Sequence, residues 1–218
     1  MPSWPSLAIG FLGPLAIVTF ARFIDLAERP LDTAVHFVTG AFLAFVALIA
    51  ERYAFGWFGP SIPPQWHVAA EAFLFAALIE EVVKVAQIAE LSRRKAASLR
   101  QTVAIGLAVA AGFAGAENVI YLFRYSDHIG GLLMIRTLTA NPLHLAVAVI
   151  ASYYVFESLH DEAKSHYLAI AVLVATFFHG LYDYLIMESR GTSMRFVFVL
   201  AFVVAWAWRL APKIRQAS

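Results

Sequence analysis

The sequence predicts an all-α, polytopic membrane protein: a bundle of about seven transmembrane helices forming a single transmembrane domain, residues 1–218. Three observations predict this fold. Of the 218 residues, 61% are hydrophobic and only 14% are charged, whereas a soluble domain carries about 25% charged residues. Mean hydropathy is +0.73. The apolar residues also fall into long runs, and the polar or Pro/Gly connectors between them are too short to form a further domain.

A helix that crosses a bilayer needs about 20 mainly apolar residues. Seven stretches meet this length, some barely: 6–24, 31–50, 66–91, 102–123, 132–156, 166–187 and 195–210. The first has no basic residues before it and no small-residue cleavage site, so we expect a retained span rather than a signal peptide. The clearest break, residues 56–65, is rich in Gly and Pro and carries aromatic residues suited to a membrane interface.

Charge placement predicts the orientation. Basic residues concentrate in the loop after the third span and in the tail: Arg93, Arg94, Lys95, Arg100, Arg209, Lys213 and Arg215. The positive-inside rule therefore places the N-terminus outside and the C-terminus in the cytoplasm. The net charge of +1 gives no sign of a nucleic-acid partner, and the absence of cysteine excludes disulfides and thiolate metal ligands.

Polar groups occur inside four consecutive apolar spans. They are Glu80 and Glu81 with Lys84, Glu117, His144, and His179 with Asp183. An ionisable group in hydrocarbon costs roughly 2.5–3.5 kcal/mol on insertion, so such groups are rare and usually functional. Counted along the predicted helices, these four positions lie roughly 16–23 Å from one face of a ~30 Å core. We therefore expect them to share one polar site.

The acid pair is the strongest of these signals. Glu80 and Lys84 are four residues apart and share a helix face, so one carboxylate could simply form an ion pair that eases insertion. That interpretation leaves the second carboxylate unexplained. Two adjacent carboxylates beside one ammonium are suited to act as a general base for water.

The other positions are weaker alone. Glu117 lies on a helix crowded with Gly and Ala, and is either a buried hydrogen-bond partner or a metal ligand or polarising carboxylate. His144 follows Pro142, which frees a backbone carbonyl nearby. Arg136 is a further buried polar group whose partner is either Glu117 or a substrate carbonyl.

His179 and Asp183 are four residues apart on one face. They form either a local hydrogen bond or a pair in which the carboxylate orients a catalytic or metal-binding imidazole. The remaining histidines fall near span ends or in loops, where we expect them to be solvated or interfacial: His36, His67, His128, His160 and His166.

The residue inventory restricts the chemistry. The sequence lacks the serine-hydrolase motif G-x-S-x-G and the zinc motif H-E-x-x-H, has no cysteine, and places only Asp183 at depth among its aspartates. Glu and His remain, acting directly or through a divalent metal such as Zn²⁺. A catalytic zinc takes three N/O ligands and a water. Glu117, His144 and His179 would supply the three, with Glu80 or Glu81 as base.

The motifs, taken in order, resemble the PrsW family of intramembrane proteases. That family's pattern is E-E-x-x-K, F-x-x-x-E-N, a histidine in the next span, and H-x-x-x-D. This chain has EEVVK at 80–84, FAGAEN at 113–118, His144, and HGLYD at 179–183, covering roughly residues 66–187. The related CAAX-prenyl protease group typically has E-E-x-x-R, F-x-x-x-H and H-x-x-x-N, from which this chain differs.

The resemblance implies an intramembrane peptidase of a bacterial cell membrane that cleaves a membrane-anchored protein or peptide. It also implies site roles for Glu80, Glu81, Glu117, His144, His179 and Asp183. It leaves open whether a divalent metal takes part or the enzyme is a metal-free glutamic protease. Two alternatives from other classes are an ion-coupled or metal transporter and a catalytically inactive scaffold. The crowding of all four sites into spans three to six, without a second copy, disfavours transport.

Overall fold

The computed structural model describes residues 29–124, 129–189 and 193–216, and every regular element within these ranges is helical. The all-α prediction is therefore confirmed. The elements are α1 (Pro30–Phe58), α2 (His67–Ala70), a π-helical segment (Glu71–Ala77), α3 (Leu78–Lys95), α4 (Leu99–Arg124), α5 (Ile129–Leu138), α6 (Ala140–His160), α7 (Tyr167–Glu188) and α8 (Phe196–Gln216).

Within the described residues, five helices are long and apolar enough to cross a membrane: Leu31–Ser61, Leu99–Arg124, Leu133–His160, Glu162–Glu188 and Phe196–Gln216. The predicted span 6–24 lies outside the described residues. The predicted span 66–91 is helical throughout, but its ionisable residues lower its hydropathy, and it is not one of the five. The count of about seven stays a prediction.

One predicted span is bent. The stretch 132–156 falls within the candidate span Leu133–His160, which has a turn at Thr139, between α5 and α6. Pro142 then lies in the first turn of α6, where a missing backbone N–H costs little. The backbone N–H groups of Thr139 and Leu143 each donate to a carbonyl four residues earlier, so the span is bent at Thr139 but not ended there. Both α5 and α6 carry a polar residue into the bundle.

The centre of the bundle is α4, whose residues 105–116 are all buried. It crosses α1 at Gly40 and Gly112, where a Cβ on either glycine would collide with a backbone carbonyl of the other helix. Small residues thus let the two backbones touch, as expected for membrane helices. His36 lies near this crossing and is buried, so the expectation that it is solvated or interfacial was wrong.

Neighbouring contacts fix the relative direction of α1 and the helix formed by α2, the π segment and α3. Lys95 forms an ion pair with Asp32 at 3.3 Å, and the rings of Phe75 and Phe55 meet edge to face at 5.4 Å. The two helices therefore run antiparallel. The helix α3 also packs against α4, α6 and α7, and these four helices surround the buried polar residues.

Candidate active site

The acid pair lies on the buried face of α3, directly after the π-helical segment. Glu80 and Glu81 are buried, and so is Lys84 one turn later. The Lys84 Nζ atom lies 2.6 Å from Glu81 Oε1 and 3.5 Å from Glu80 Oε2. The ammonium therefore pairs with both carboxylates, and more closely with Glu81. A π turn beside such residues is common at functional sites, because it rotates the side chains that follow it.

His179 brings α7 to the same point. Its Nδ1 atom lies 2.8 Å from Glu81 Oε1 and 3.8 Å from Glu80 Oε2. Its Nε2 atom lies 3.3 Å from Asp183 Oδ2, the pairing expected from their spacing. The adjacent Gly180 allows this approach, since a Cβ there would lie 2.5 Å from the ring of Phe73. Asp183 thus holds the imidazole from behind while Nδ1 faces the acid pair.

His144 lies on α6, and its ring sits between Lys84 and Glu117. Its Nδ1 atom lies 3.2 Å from Lys84 Nζ and its Nε2 atom lies 2.8 Å from Glu117 Oε2. An ammonium only donates hydrogen bonds, so Nδ1 accepts from Lys84 and Nε2–H donates to Glu117. Its ring also meets His179 edge to face, with centroids 4.8 Å apart.

Glu117 is held by Arg136, which settles the partner that the sequence left open. Arg136 Nη2 lies 3.0 Å from Glu117 Oε1, and its Nε–H donates to Asn118 Oδ1 at 2.7 Å. Asn118 in turn donates to Asn141 Oδ1 at 3.1 Å. The guanidinium also covers the Tyr121 ring, 4.0 Å from its centroid. Sequence analysis did not assign the two asparagines, although Asn118 ends the motif at 113–118 and Asn141 directly precedes Pro142.

The structure therefore brings together all six residues predicted for the site, from α3, α4, α6 and α7. The grouping differs from the expected metal ligands Glu117, His144 and His179 in one respect. The donors that converge, all within 4.8 Å of one another, belong to Glu80, Glu81, His144 and His179. Glu117 lies behind His144 because Arg136 holds its carboxylate there.

The convergent donor set has the right chemistry for a divalent metal. Carboxylate oxygens and imidazole nitrogens are the ligands that Zn²⁺ and similar ions take when cysteine is absent. Lys84 contacts three of the four residues, Glu80, Glu81 and His144, so its ammonium and a bound metal would share the same ligands.

A further acid near the site was missed by sequence analysis. Glu51 lies on α1, and its charge interacts with those of Glu117, His179, Asp183 and Lys84. The predicted span ended at residue 50, one residue before Glu51, whereas α1 continues to Phe58.

Comparison with known proteins identifies the family. A family model described as "PrsW family intramembrane metalloprotease" matches residues 30–208, which include every site residue named above. Protease PrsW of Shouchella clausii (strain KSM-K16) is 25% identical over 98% of this chain and 97% of its own length. Protease PrsW of Clostridioides difficile (strain 630) is 27% identical over 78% of this chain and 73% of its own length.

The corresponding protease of Geobacillus kaustophilus (strain HTA426) is 29% identical over 69% of this chain and 65% of its own length. No solved structure matches the chain significantly. The family model matches most of the chain, and buried glutamates and histidines lie at the centre of the match. The chain therefore belongs to the PrsW family of intramembrane proteases.

Proposed function

We propose that this intramembrane protease hydrolyses a peptide bond of a membrane-anchored protein or peptide, with Glu80 activating the attacking water. The observation that carries the proposal is the convergence of Glu80, Glu81, His144 and His179, whose donor atoms lie within 4.8 Å of one another. These groups come from three different helices, and inserting each of them into the membrane costs free energy. Peptide hydrolysis within a membrane requires a polar site of this kind, which can hold one water molecule away from bulk solvent.

Glu80 is the better base of the acid pair because its carboxylate is less engaged. Glu81 accepts from Lys84 at 2.6 Å and contacts His179 at 2.8 Å, both at Oε1. The corresponding contacts of Glu80 are 3.5 Å and 3.8 Å. Glu80 therefore keeps oxygen lone pairs available for a water molecule, whereas Glu81 fixes the positions of the ammonium and the imidazole.

The proposed hydrolysis needs only the peptide, one water molecule and the site residues. Glu80 takes a proton from water as the water oxygen bonds to the scissile carbonyl carbon, and the carbonyl electrons move onto its oxygen. The nearby cation of Lys84 favours this developing negative charge. The intermediate then collapses, the C–N bond breaks, and the proton held by Glu80 passes to the leaving amine.

The site residues also fit the metal that the family description implies. Glu81, His144 and His179 would hold a divalent ion, three ligands being usual for a catalytic zinc, and Glu80 would stay free as the base. The bound ion would supply Lewis acidity and lower the pKa of its water. Asp183 behind His179 and Glu117 behind His144 would orient the two imidazoles.

Replacing Glu80 tests the assignment of the base. In detergent or nanodiscs, the Glu80→Gln variant should cleave a panel of single-span substrates at least about 100-fold more slowly than the parent, as expected for loss of a general base. Glu71→Gln is the matched control, because Glu71 lies exposed on the same long helix. Cleavage by Glu80→Gln at the parent's rate would contradict the assignment.

Metal analysis tests the ligands separately. We expect purified parent protein to retain about one equivalent of a divalent metal, and the His144→Ala/His179→Ala double variant to lose it, since one zinc needs three protein ligands. His160→Ala serves as the control, because this imidazole is exposed on the last turn of α6. Equal metal content in parent and double variant would exclude these histidines as ligands.

A further inference from the structure

Glu51 lies on the face of α1 that packs into the bundle. Gly40, Ala44, Ala47 and Glu51 follow each other at intervals of four, three and four residues, so they lie on one side of the helix. Ala44 and Ala47 are buried in a cluster with side chains of α3 and α4, among them Phe113. Glu51 is half-buried one turn beyond Ala47, on that same face.

The contacts between α1 and its antiparallel neighbour place Glu51 close to the level of Glu80. Asp32 pairs with Lys95, and Phe55 meets Phe75. Counting from these two contacts, the α1 position opposite Glu80 is between 47 and 50. Glu51 is therefore displaced along the helix axis by about 6 Å or less, which is one turn.

This carboxylate has no close partner within the part of the chain that the structure describes. It forms no hydrogen bond or ion pair there, although it lies in one of the most apolar helices. Its electrostatic interactions are with site residues: Glu117, His179, Asp183 and Lys84. An unpaired carboxylate in hydrocarbon costs roughly 2.5–3.5 kcal/mol, so a functional contact explains its presence better than packing does.

The charges around Glu51 indicate what kind of substrate group it would contact. Five carboxylates, those of Glu51, Glu80, Glu81, Glu117 and Asp183, stand against the two permanent cations Lys84 and Arg136. Counted as formal charges, with every carboxylate ionised and both imidazoles neutral, the excess is three negative charges. Two protonated imidazoles or one bound divalent ion would each still leave one. A site of this sign attracts positive charge and repels negative charge.

We propose that Glu51 is a specificity-determining residue that contacts the substrate and favours a positively charged side chain, lysine or arginine, near the scissile bond. The long apolar stem of such a side chain suits a membrane segment while its charged end reaches an acid. The proposal rests on the proposed function, because it assumes that a substrate peptide enters this site.

Peptide binding tests the proposal without requiring cleavage. The probes are fluorescent, acetylated and amidated pentapeptides of leucine and alanine, with one lysine placed at each position in turn. Each has a counterpart with norleucine, which keeps the stem and removes the charge. The parent protein in detergent should bind at least one lysine peptide about tenfold or more tightly than its norleucine counterpart.

The variants then assign the preference to Glu51. Glu51→Gln should bind both members of the pair equally, whereas Glu51→Asp and the exposed-site control Glu71→Gln should keep the preference for lysine. Equal binding by the parent at every position, or an unchanged preference in Glu51→Gln, overturns the proposal. Failure of the proposed function is distinguishable, because an inactive protein can still show the lysine preference.

Discussion

Lys84 contacts three of the four residues that could hold a metal ion: Glu80, Glu81 and His144. Its ammonium contacts Glu81 at 2.6 Å, His144 Nδ1 at 3.2 Å and Glu80 at 3.5 Å, and it lies 4.4 Å from the centre of the Phe113 ring. All three of its polar partners are buried. An ammonium in this position neutralises part of the acid pair and orients His144, so its role extends beyond a local ion pair.

Removing this ammonium should leave buried carboxylates uncompensated. We expect Lys84→Met to lower the free energy of unfolding by about 3–5 kcal/mol, the usual cost of breaking a buried ion pair from one side. Added Zn²⁺ should restore more stability to this variant than to the parent, because a dication can take the place of the ammonium among the same ligands.

Thermal unfolding in detergent, with and without Zn²⁺, measures both effects. Lys164→Met is the control, because Lys164 pairs with Glu157 outside the site. If Zn²⁺ raised the melting temperatures of parent and Lys84→Met equally, the ammonium and the metal would not share ligands.

At the residue scale, the sequence predicted which groups meet and the pairs Glu80–Lys84 and His179–Asp183, but not the pairs between helices. Glutamates and histidines stand out in apolar spans because burying them is costly, which identified Glu80, Glu117, His144 and His179. The contact between Lys84 and His144 joins residues 60 positions apart, and no spacing rule predicts it. The same holds for Arg136, whose two candidate partners could be separated only by geometry.

At the element scale, the Gly40–Gly112 crossing sets the position of α1 and hence of Glu51. The sequence predicted close packing from the small residues of α4, but not which helix α4 meets. The predicted span 31–50 also ended one residue before Glu51, although the hydrogen-bonded helix continues to Phe58. Helix length follows backbone hydrogen bonding as well as composition, and here the difference left Glu51 outside the predicted span.

Adding one methyl group at the crossing should separate the two helices. A Cβ at Gly112 would collide with the backbone carbonyl of Phe37, which cannot rotate away as a side chain could. We expect Gly112→Ala to lower the free energy of unfolding by about 1–3 kcal/mol, as for other overpacked cores. Activity should fall as well, because the displacement of α1 would move Glu51 away from the site.

Gly56 provides a matched control within α1, because a Cβ there would meet no atom within 4 Å. Gly56→Ala should be neutral or slightly stabilising, since alanine has the higher helix propensity. Thermal unfolding of the two variants in detergent gives the comparison. Equal melting temperatures for Gly112→Ala and the parent would mean that the helices do not touch at this point.

At the scale of the whole molecule, successive long helices alternate in direction, so the ends of α3, α6 and α8 lie at one face of the bundle. Lys213, near the end of α8, approaches the Tyr153 hydroxyl in the second half of α6 at 3.5 Å. The basic loop after α3 and the basic tail are thus on the same side, as the charge pattern required. Which side is cytoplasmic stays a prediction from the positive-inside rule.

Single cysteines test that orientation cleanly because the chain contains none. Ser61, after α1, and Ser165, between α6 and α7, are both exposed and lie at opposite faces of the bundle. With the basic face in the cytoplasm, a membrane-impermeant maleimide added to intact cells should label Ser61→Cys, and should label Ser165→Cys only after lysis. The opposite pattern would invert the topology, placing the basic face outside against the charge bias that normally sets membrane-protein orientation.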